Sequence, residues 1–75
     1  MARIRVSDFC QQFSLTEQDV RSFVTDRLLD RRADDAGLYF LEADVFRLKI
    51  ILKAQKLGFT AYETKRIMDR FLLGS

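Results

Sequence analysis

Apolar residues recur three and four positions apart in several segments of the chain, which is the spacing of one face of an α-helix. The first such face is formed by Val6, Phe9, Cys10 and Phe13. The second face is formed by Val20, Phe23, Val24 and Leu28. Only a few residues separate the two segments, so the pattern predicts two short helices joined by a tight turn, a helix-turn-helix.

Capping signals locate the starts of two helices. Thr16 is followed three positions later by Asp19, and Thr60 by Glu63, so each pair predicts a capping box at a helix N-terminus. Between them the longest apolar stripe predicts a third helix over about residues 42–57, and the glycine that follows is a natural stop. The sequence therefore predicts four helices.

We expect the stripes of the four helices to meet in one core. The residues that we expect to be buried there are Phe9, Cys10, Val20, Phe23, Leu48, Leu52 and Ile67. Phe46 and Phe71 lie on or beside the same stripes, and large aromatic side chains are usually core residues in a small domain. We therefore assign both of them to the core as well.

The segment between the second and third helices has a different pattern. Residues 30–37 are polar and turn-rich, and residues 38–41 form a short apolar run typical of a strand. Pairing of Leu28 and Leu29 with residues 38–40 would give a two-stranded wing, which must pack on the helices because so small a hairpin is marginal alone. The expected architecture is a single, mainly α domain over residues 1–75.

Composition excludes most catalytic and metal-binding chemistry. The chain has no histidine and one cysteine, Cys10, so it can build neither an imidazole base nor a zinc cluster. Its three glycines stand apart and form no phosphate-binding loop. We expect no enzyme activity, cofactor or metal. Lacking a membrane-spanning run or a signal peptide, and having a single cysteine, the chain is expected in the cytoplasm.

Two stretches carry a family resemblance. Residues 16–29 (TEQDVRSFVTDRLL) and 57–68 (LGFTAYETKRIM) resemble the DNA-binding domain of the MerR family. The resemblance implies a winged helix-turn-helix that binds double-stranded DNA, with Arg21 in the place of a phosphate-contacting arginine. Phe23 stands where the family has a tyrosine, and Arg27 stands where it has a glycine before the Leu-Leu pair.

A DNA-binding role assigns contacts to the second helix, the wing and the N-terminal segment. The assigned residues are Arg3, Arg5, Thr16, Gln18, Arg21, Ser22, Arg27, Arg31 and Arg32. The arginines would bind phosphates on either side of the major groove. They are equally well interpreted as a solvated face paired with nearby acids. Such a protein would be a transcription regulator or an excisionase-like factor. Its self-association would be weak or DNA-dependent, through residues 71–73.

Residues 6–10 and Val24 also resemble chaperone modulators of the CbpM type, which share this fold. That resemblance implies binding to the J-domain of a DnaJ-like co-chaperone instead of DNA. The charge pattern fits a basic partner, because residues 33–44 contain four acids and no base, whereas residues 45–75 are strongly basic. The protein-binding residues would be Asp34, Asp35, Glu42 and Asp44. Both interpretations stay open at this point.

Overall fold

A computed structural model of the chain describes residues 2–73. The protein is mainly helical and carries a small three-stranded antiparallel sheet. The elements in chain order are β1 (Ile4–Arg5), α1 (Val6–Phe13), α2 (Glu17–Thr25), β2 (Ala33–Asp34), β3 (Gly37–Phe40), α3 (Glu42–Lys56) and α4 (Ala61–Leu73). Strand β3 lies in the middle of the sheet, between β1 and β2.

The tight turn between α1 and α2 is confirmed. Ser14 adopts a left-handed conformation with φ +56°, and the amide of Leu15 donates to the carbonyl of Cys10 at 2.9 Å. The capping box follows at once: Thr16 Oγ1 accepts from the Asp19 amide, and Asp19 Oδ2 accepts from the Thr16 amide, both at 3.1 Å. Each bond satisfies an amide that the first helical turn leaves without a partner.

The predicted connection between α3 and α4 is also confirmed. Helix α3 ends at Lys56, and Gly58 has φ +87°, a left-handed value that glycine adopts without strain. Thr60 and Glu63 form the second capping box, in which the Thr60 amide donates to Glu63 Oε1 at 2.9 Å and the Glu63 amide donates to Thr60 Oγ1 at 3.1 Å. The two helices contact each other and are joined by a short turn whose geometry is set by local residues.

The predicted wing strands were wrong in part. Leu28 and Leu29 do not pair with β3, because both of their amides donate to the carbonyl of Phe23 and wrap the chain around the end of α2. Their side chains are buried, at 3% and 2% exposure. Strand β2 pairs with β3 instead, and the N-terminal β1 pairs on the other side, with Ile4 opposite Phe40.

The core lies between the helices and one face of the sheet. Four of the expected core residues are buried, namely Phe9, Val20, Phe23 and Leu48. The other three, Cys10, Leu52 and Ile67, are half-buried. Neighbours that complete the core are Leu28, Leu29, Phe40, Ile51 and Met68. The rings of Phe9 and Phe40 stack with centroids 4.5 Å apart, which joins α1 to β3.

Phe46 and Phe71 contradict the core assignment. Phe46 is 55% exposed and Phe71 is 73% exposed. Helix α3 buries Leu48 and Ile51 on one face, and Phe46 lies on the opposite face. A helix with apolar residues on two faces gives no single stripe, so the sequence pattern could not show which face is inside. The side chains of Leu72 and Leu73, the rest of the expected self-association patch, lie outside the described residues.

Candidate nucleic-acid interface

The β2–β3 hairpin and the start of α2 border one shallow groove. Its lining includes Arg5, Ser7, Glu17, Arg21 and residues 36–38. We call this surface, with Arg3, Asp34 and Asp35, the α2–wing face, and residues 33–40 the wing. Because the groove touches both elements, the exposed start of α2 and the tip of the wing face the same side of the molecule.

The tip of the wing is a hairpin turn built on Asp34. Asp34 pairs with Gly37 across the turn, so that residues 35 and 36 form its loop. Asp34 Oδ1 accepts from the Ala36 amide at 3.0 Å, which is the bond by which an aspartate side chain favours such turns. Gly37 has φ +111°, a conformation that residues with a Cβ rarely adopt. The acidic residue at the tip therefore has a structural role in the wing.

Asp34 also binds both N-terminal arginines. Arg5 makes a bidentate contact, with Nη1 at 2.8 Å from Oδ1 and Nη2 at 2.5 Å from Oδ2, and Arg3 Nη1 lies 2.7 Å from Oδ2. The guanidinium of Arg5, more than that of Arg3, holds the pKa of Asp34 well below its usual range. Both guanidinium groups also lie over the ring of Tyr39. Arg3 and Arg5 are thus held against the wing.

Arg21 is paired as well, in a weaker way. Its Nη2 donates to Glu17 Oε1 at 2.7 Å, one helical turn earlier, and both side chains are more than half exposed. An exposed pair of this kind contributes only about 0.3–0.5 kcal/mol, so a phosphate can displace the carboxylate. Gln18 and Ser22 are exposed beside it on α2, and Thr16 is exposed with its hydroxyl engaged in the cap.

Arg32 and Asp44 depart from their expected roles in binding. Asp44 has no exposed surface, and its carboxylate accepts from Arg32 Nη1 at 2.5 Å, Arg47 Nη1 at 3.1 Å and the Leu41 amide at 2.9 Å. Asp30 contacts the same two guanidinium groups from the solvent side, at 3.3 and 3.2 Å. Asp44 therefore cannot contact a partner surface. Together with Arg32 it fixes the base of the wing to the start of α3.

The other assigned residues remain at the surface. Arg27 and Arg31 are exposed, and neither meets a carboxylate within residues 2–73. Arg27 has φ +62°, a left-handed value that glycine adopts more readily than residues with a Cβ. Asp35 and Glu42 are exposed and available to a partner.

Charge on the α2–wing face is close to balanced. Its three arginines, Arg3, Arg5 and Arg21, are matched by the carboxylates of Glu17, Asp34 and Asp35. Nucleic-acid affinity depends mainly on cations that neutralise phosphates and release counterions. A balanced face therefore supplies little non-specific attraction until the arginines exchange their carboxylates for phosphates.

Sequence reasoning missed the contact of Asp34 with the N-terminal arginines. Residues 3 and 5 are two apart, and side chains two apart on a strand point to the same side. That alternation could have placed both guanidinium groups together. It could not have shown which acid they meet, because the pairing of β1 with β3 joins segments about 35 residues apart.

Cys10 shows no sign of activation. Burial raises the pKa of its thiol, and the nearby charges of Glu17 and Asp19 raise that pKa further. Both effects favour the protonated form, whereas a nucleophilic cysteine needs a lowered pKa. Across the described part of the chain, no group of acidic and cysteine side chains is arranged to hold a metal ion.

Comparisons with protein-family models, with curated proteins and with solved structures gave no match. The resemblance to the MerR family is therefore supported only by the sequence of residues 16–29 and 57–68 described above. The helices of residues 2–73 include none that is both long enough and apolar enough to cross a membrane.

Proposed function

We propose that this chain is a MerR-like winged helix-turn-helix domain that binds double-stranded DNA as a regulatory or architectural protein. The observation that carries the proposal is the shared groove between the start of α2 and the tip of the wing. A winged helix-turn-helix needs this adjacency, since its second helix enters the major groove while the wing meets the neighbouring backbone. The tight α1–α2 turn supports the same function.

In this proposal Gln18, Arg21 and Ser22 approach the major groove, and Arg31 approaches the backbone from the base of the wing. Arg27, which is exposed just beyond the end of α2, is a further phosphate contact. The balanced charge of the α2–wing face makes a single domain a weak binder. Useful specificity then requires two copies on adjacent half-sites, which assemble only on the DNA.

Arg21→Ala tests the proposal directly. The variant should weaken binding to duplexes of every sequence alike, and lower the slope of log affinity against log salt by about one. Fluorescence anisotropy with a labelled random duplex at several salt concentrations measures both quantities. Arg66→Ala is the matched control, because it removes an exposed arginine from α4, away from the groove. Equal losses in the two variants would contradict the proposal.

Sedimentation tests the assembly. The domain alone should sediment as a monomer over a wide concentration range, and as two copies per duplex when a palindromic site is present. A tight dimer without DNA would contradict this part of the proposal.

A second candidate function is binding to a J-domain as a CbpM-type modulator. It is favoured by Asp35, which is exposed at the tip of the wing, and by the lack of net positive charge on the α2–wing face. The two functions predict opposite changes in binding affinity when the charge of a wing carboxylate is removed. For DNA, Asp35→Asn removes one repulsive charge, and Asp34→Asn also releases Arg3 and Arg5, so the gain in affinity should be larger at position 34.

For a J-domain, the same two substitutions should weaken the complex, because each removes part of the complementary field. Titration of wild type and both variants against a random duplex and against a purified J-domain distinguishes the functions. If neither substitution changes either affinity, the wing takes no part in binding and both mechanisms are contradicted.

A further inference from the structure

Helix α3 is apolar on two opposite faces. Its inner face places Leu48, Ile51 and Ala54 in the core. Its outer face carries Phe46, Ile50, Lys53 and Leu57, separated by four, three and four residues. That alternation of four and three is the spacing at which one helix presents a seam to another helix.

The outer face is open to solvent. Phe46 is 55% exposed and Leu57 is 65% exposed, whereas Ile50 between them is half-buried and packs partly against the core. Helix α4 packs on α3 and leaves Phe46 and Leu57 exposed. A helix that serves only as the inner wall of a core needs one apolar stripe, whereas a helix that is apolar on both sides is normally covered on both sides.

Positive charge lies within the seam, at Lys53, and beside it, at Lys49 and Lys56. Lys49, Lys53 and Lys56 are all exposed on this side of α3, and none of them pairs with a carboxylate among the residues that the structure describes. The single acid on the same side is Glu42, at the first residue of the helix. The surface from Phe46 to Leu57 therefore has an exposed apolar side chain near each end, with Lys53 between them and Lys49 and Lys56 beside them. We call it the outer α3 face.

A second copy of the chain is a poor occupant. Symmetric packing of two outer α3 faces would bring six lysines together and oppose them with two glutamates, and like charges across an interface cost affinity. A helix with apolar side chains at the same spacing and carboxylates beside them complements the face in both shape and charge.

We propose that the outer α3 face binds an acidic amphipathic helix of a partner protein. The apolar side chains of that helix would cover Phe46, Leu57 and the exposed part of Ile50, and its carboxylates would pair with the three lysines. Aromatic side chains at the centre of an interface usually dominate its binding energy, which gives Phe46 the leading role. This binding uses a helix that takes no part in the α2–wing face, so it is independent of DNA binding.

Two synthetic helical peptides provide the test. Both carry leucine at seam spacing, one with glutamate and the other with lysine at the flanking positions. The acidic peptide should bind the intact domain, and its affinity should fall as salt rises. In ¹⁵N–¹H spectra the amide shifts should be confined to residues 42–58. The basic peptide should not bind this face.

Two alanine variants distinguish binding at this face from non-specific hydrophobic binding. Phe46→Ala should weaken binding of the acidic peptide about tenfold or more. Phe71→Ala, which removes a still more exposed phenylalanine from α4, should leave that binding unchanged. Replacing Lys49, Lys53 and Lys56 by glutamate should reverse the preference between the two peptides. Both aromatic positions are exposed, so circular dichroism should show an intact fold in every variant.

Several results would overturn the proposal. The contact would lie elsewhere if the two peptides bound equally well, or if Phe46→Ala and Phe71→Ala lost the same affinity. Amide shift changes centred on α2 would lead to the same conclusion. Concentration-dependent dimerisation that Phe46→Ala abolishes would make the occupant a second copy. A duplex that binds through the three lysines and ignores Phe46→Ala would make it nucleic acid. The peptide results do not bear on the Arg21→Ala test of the α2–wing face, so the two proposals can fail separately.

Discussion

Replacing Asp44 by asparagine should destabilise the domain more than any other change of a single carboxylate. Asp44 is fully buried and accepts hydrogen bonds from Arg32, Arg47 and the Leu41 amide. Asparagine has nearly the same size, so no cavity forms. It removes the negative charge, however, and directs an amide N–H toward a site that only donors surround. The two guanidinium groups then lose their buried partner.

The magnitude follows from the exposure of those arginines. Removing one partner of a fully buried ion pair costs about 3–5 kcal/mol. The Arg32 and Arg47 side chains are each 25% exposed and keep Asp30 nearby, so part of their charge is already solvated. We therefore expect a loss of about 2–4 kcal/mol. For a domain of this size, with a total stability of about 4–11 kcal/mol, that is a large fraction.

Urea unfolding followed by circular dichroism at 222 nm measures the loss. With a slope of about 1 kcal/mol per molar urea, the midpoint of the variant should fall by about 2 M or more. Asp35→Asn is the control, because this exposed carboxylate on the wing should change stability by less than about 0.5 kcal/mol. If Asp44→Asn stays within about 1 kcal/mol of that control, the buried network does not hold the wing as we infer.

Three further perturbations test the local geometry. The Arg27→Gly variant should be more stable than Arg27→Ala by about 1 kcal/mol in urea unfolding, because residue 27 has a positive φ. At Gln11, which lies in helix α1, the glycine variant should instead be less stable than the alanine variant. Thr60→Ala should lower the thermal midpoint by several degrees, through loss of a cap worth about 1 kcal/mol, and an unchanged midpoint would contradict the capping box. Carboxyl-carbon NMR should find the pKa of Asp34 below the usual value of about 3.9, and Arg5→Gln should raise it. The pKa of Asp34 is lower in the folded state than in the unfolded state. The ion pair therefore stabilises the fold at pH values above the unfolded pKa, and this stabilisation is lost as pH falls through the folded pKa. An Asp34 pKa that Arg5→Gln leaves unchanged would refute this interpretation.

Features determined by neighbouring residues could be predicted from the sequence. The capping boxes at Thr16 and Thr60 each need only a carboxylate three residues later, and both form as expected. The four helices and the tight turn after α1 follow from the same short-range patterns. These bonds close within one helical turn, so they do not depend on the register of distant segments.

Features determined by distant contacts could not be predicted. Strand β2 has only two residues, alanine and aspartate, and neither has a preference for strands. Its position depends on pairing with Leu38 across the hairpin and on Arg32, which is held by the buried Asp44. In the candidate site, the exposed positions on α2 were predictable from helical periodicity. The engagement of Arg5 by Asp34 was not, because it requires the register of a sheet.

The central position of β3 has a consequence for the lifetime of the folded state. The α1–α2 and α3–α4 hairpins join neighbouring segments, but the pairing of Ile4 with Phe40 closes a loop that contains the whole helix-turn-helix. Contacts across so long a loop cost the most chain entropy and tend to form late in folding. Interactions absent from the transition state slow unfolding without speeding folding. We therefore expect substitutions in the N-terminal strand to change mainly the unfolding rate, and substitutions in the helical hairpins to change mainly the folding rate.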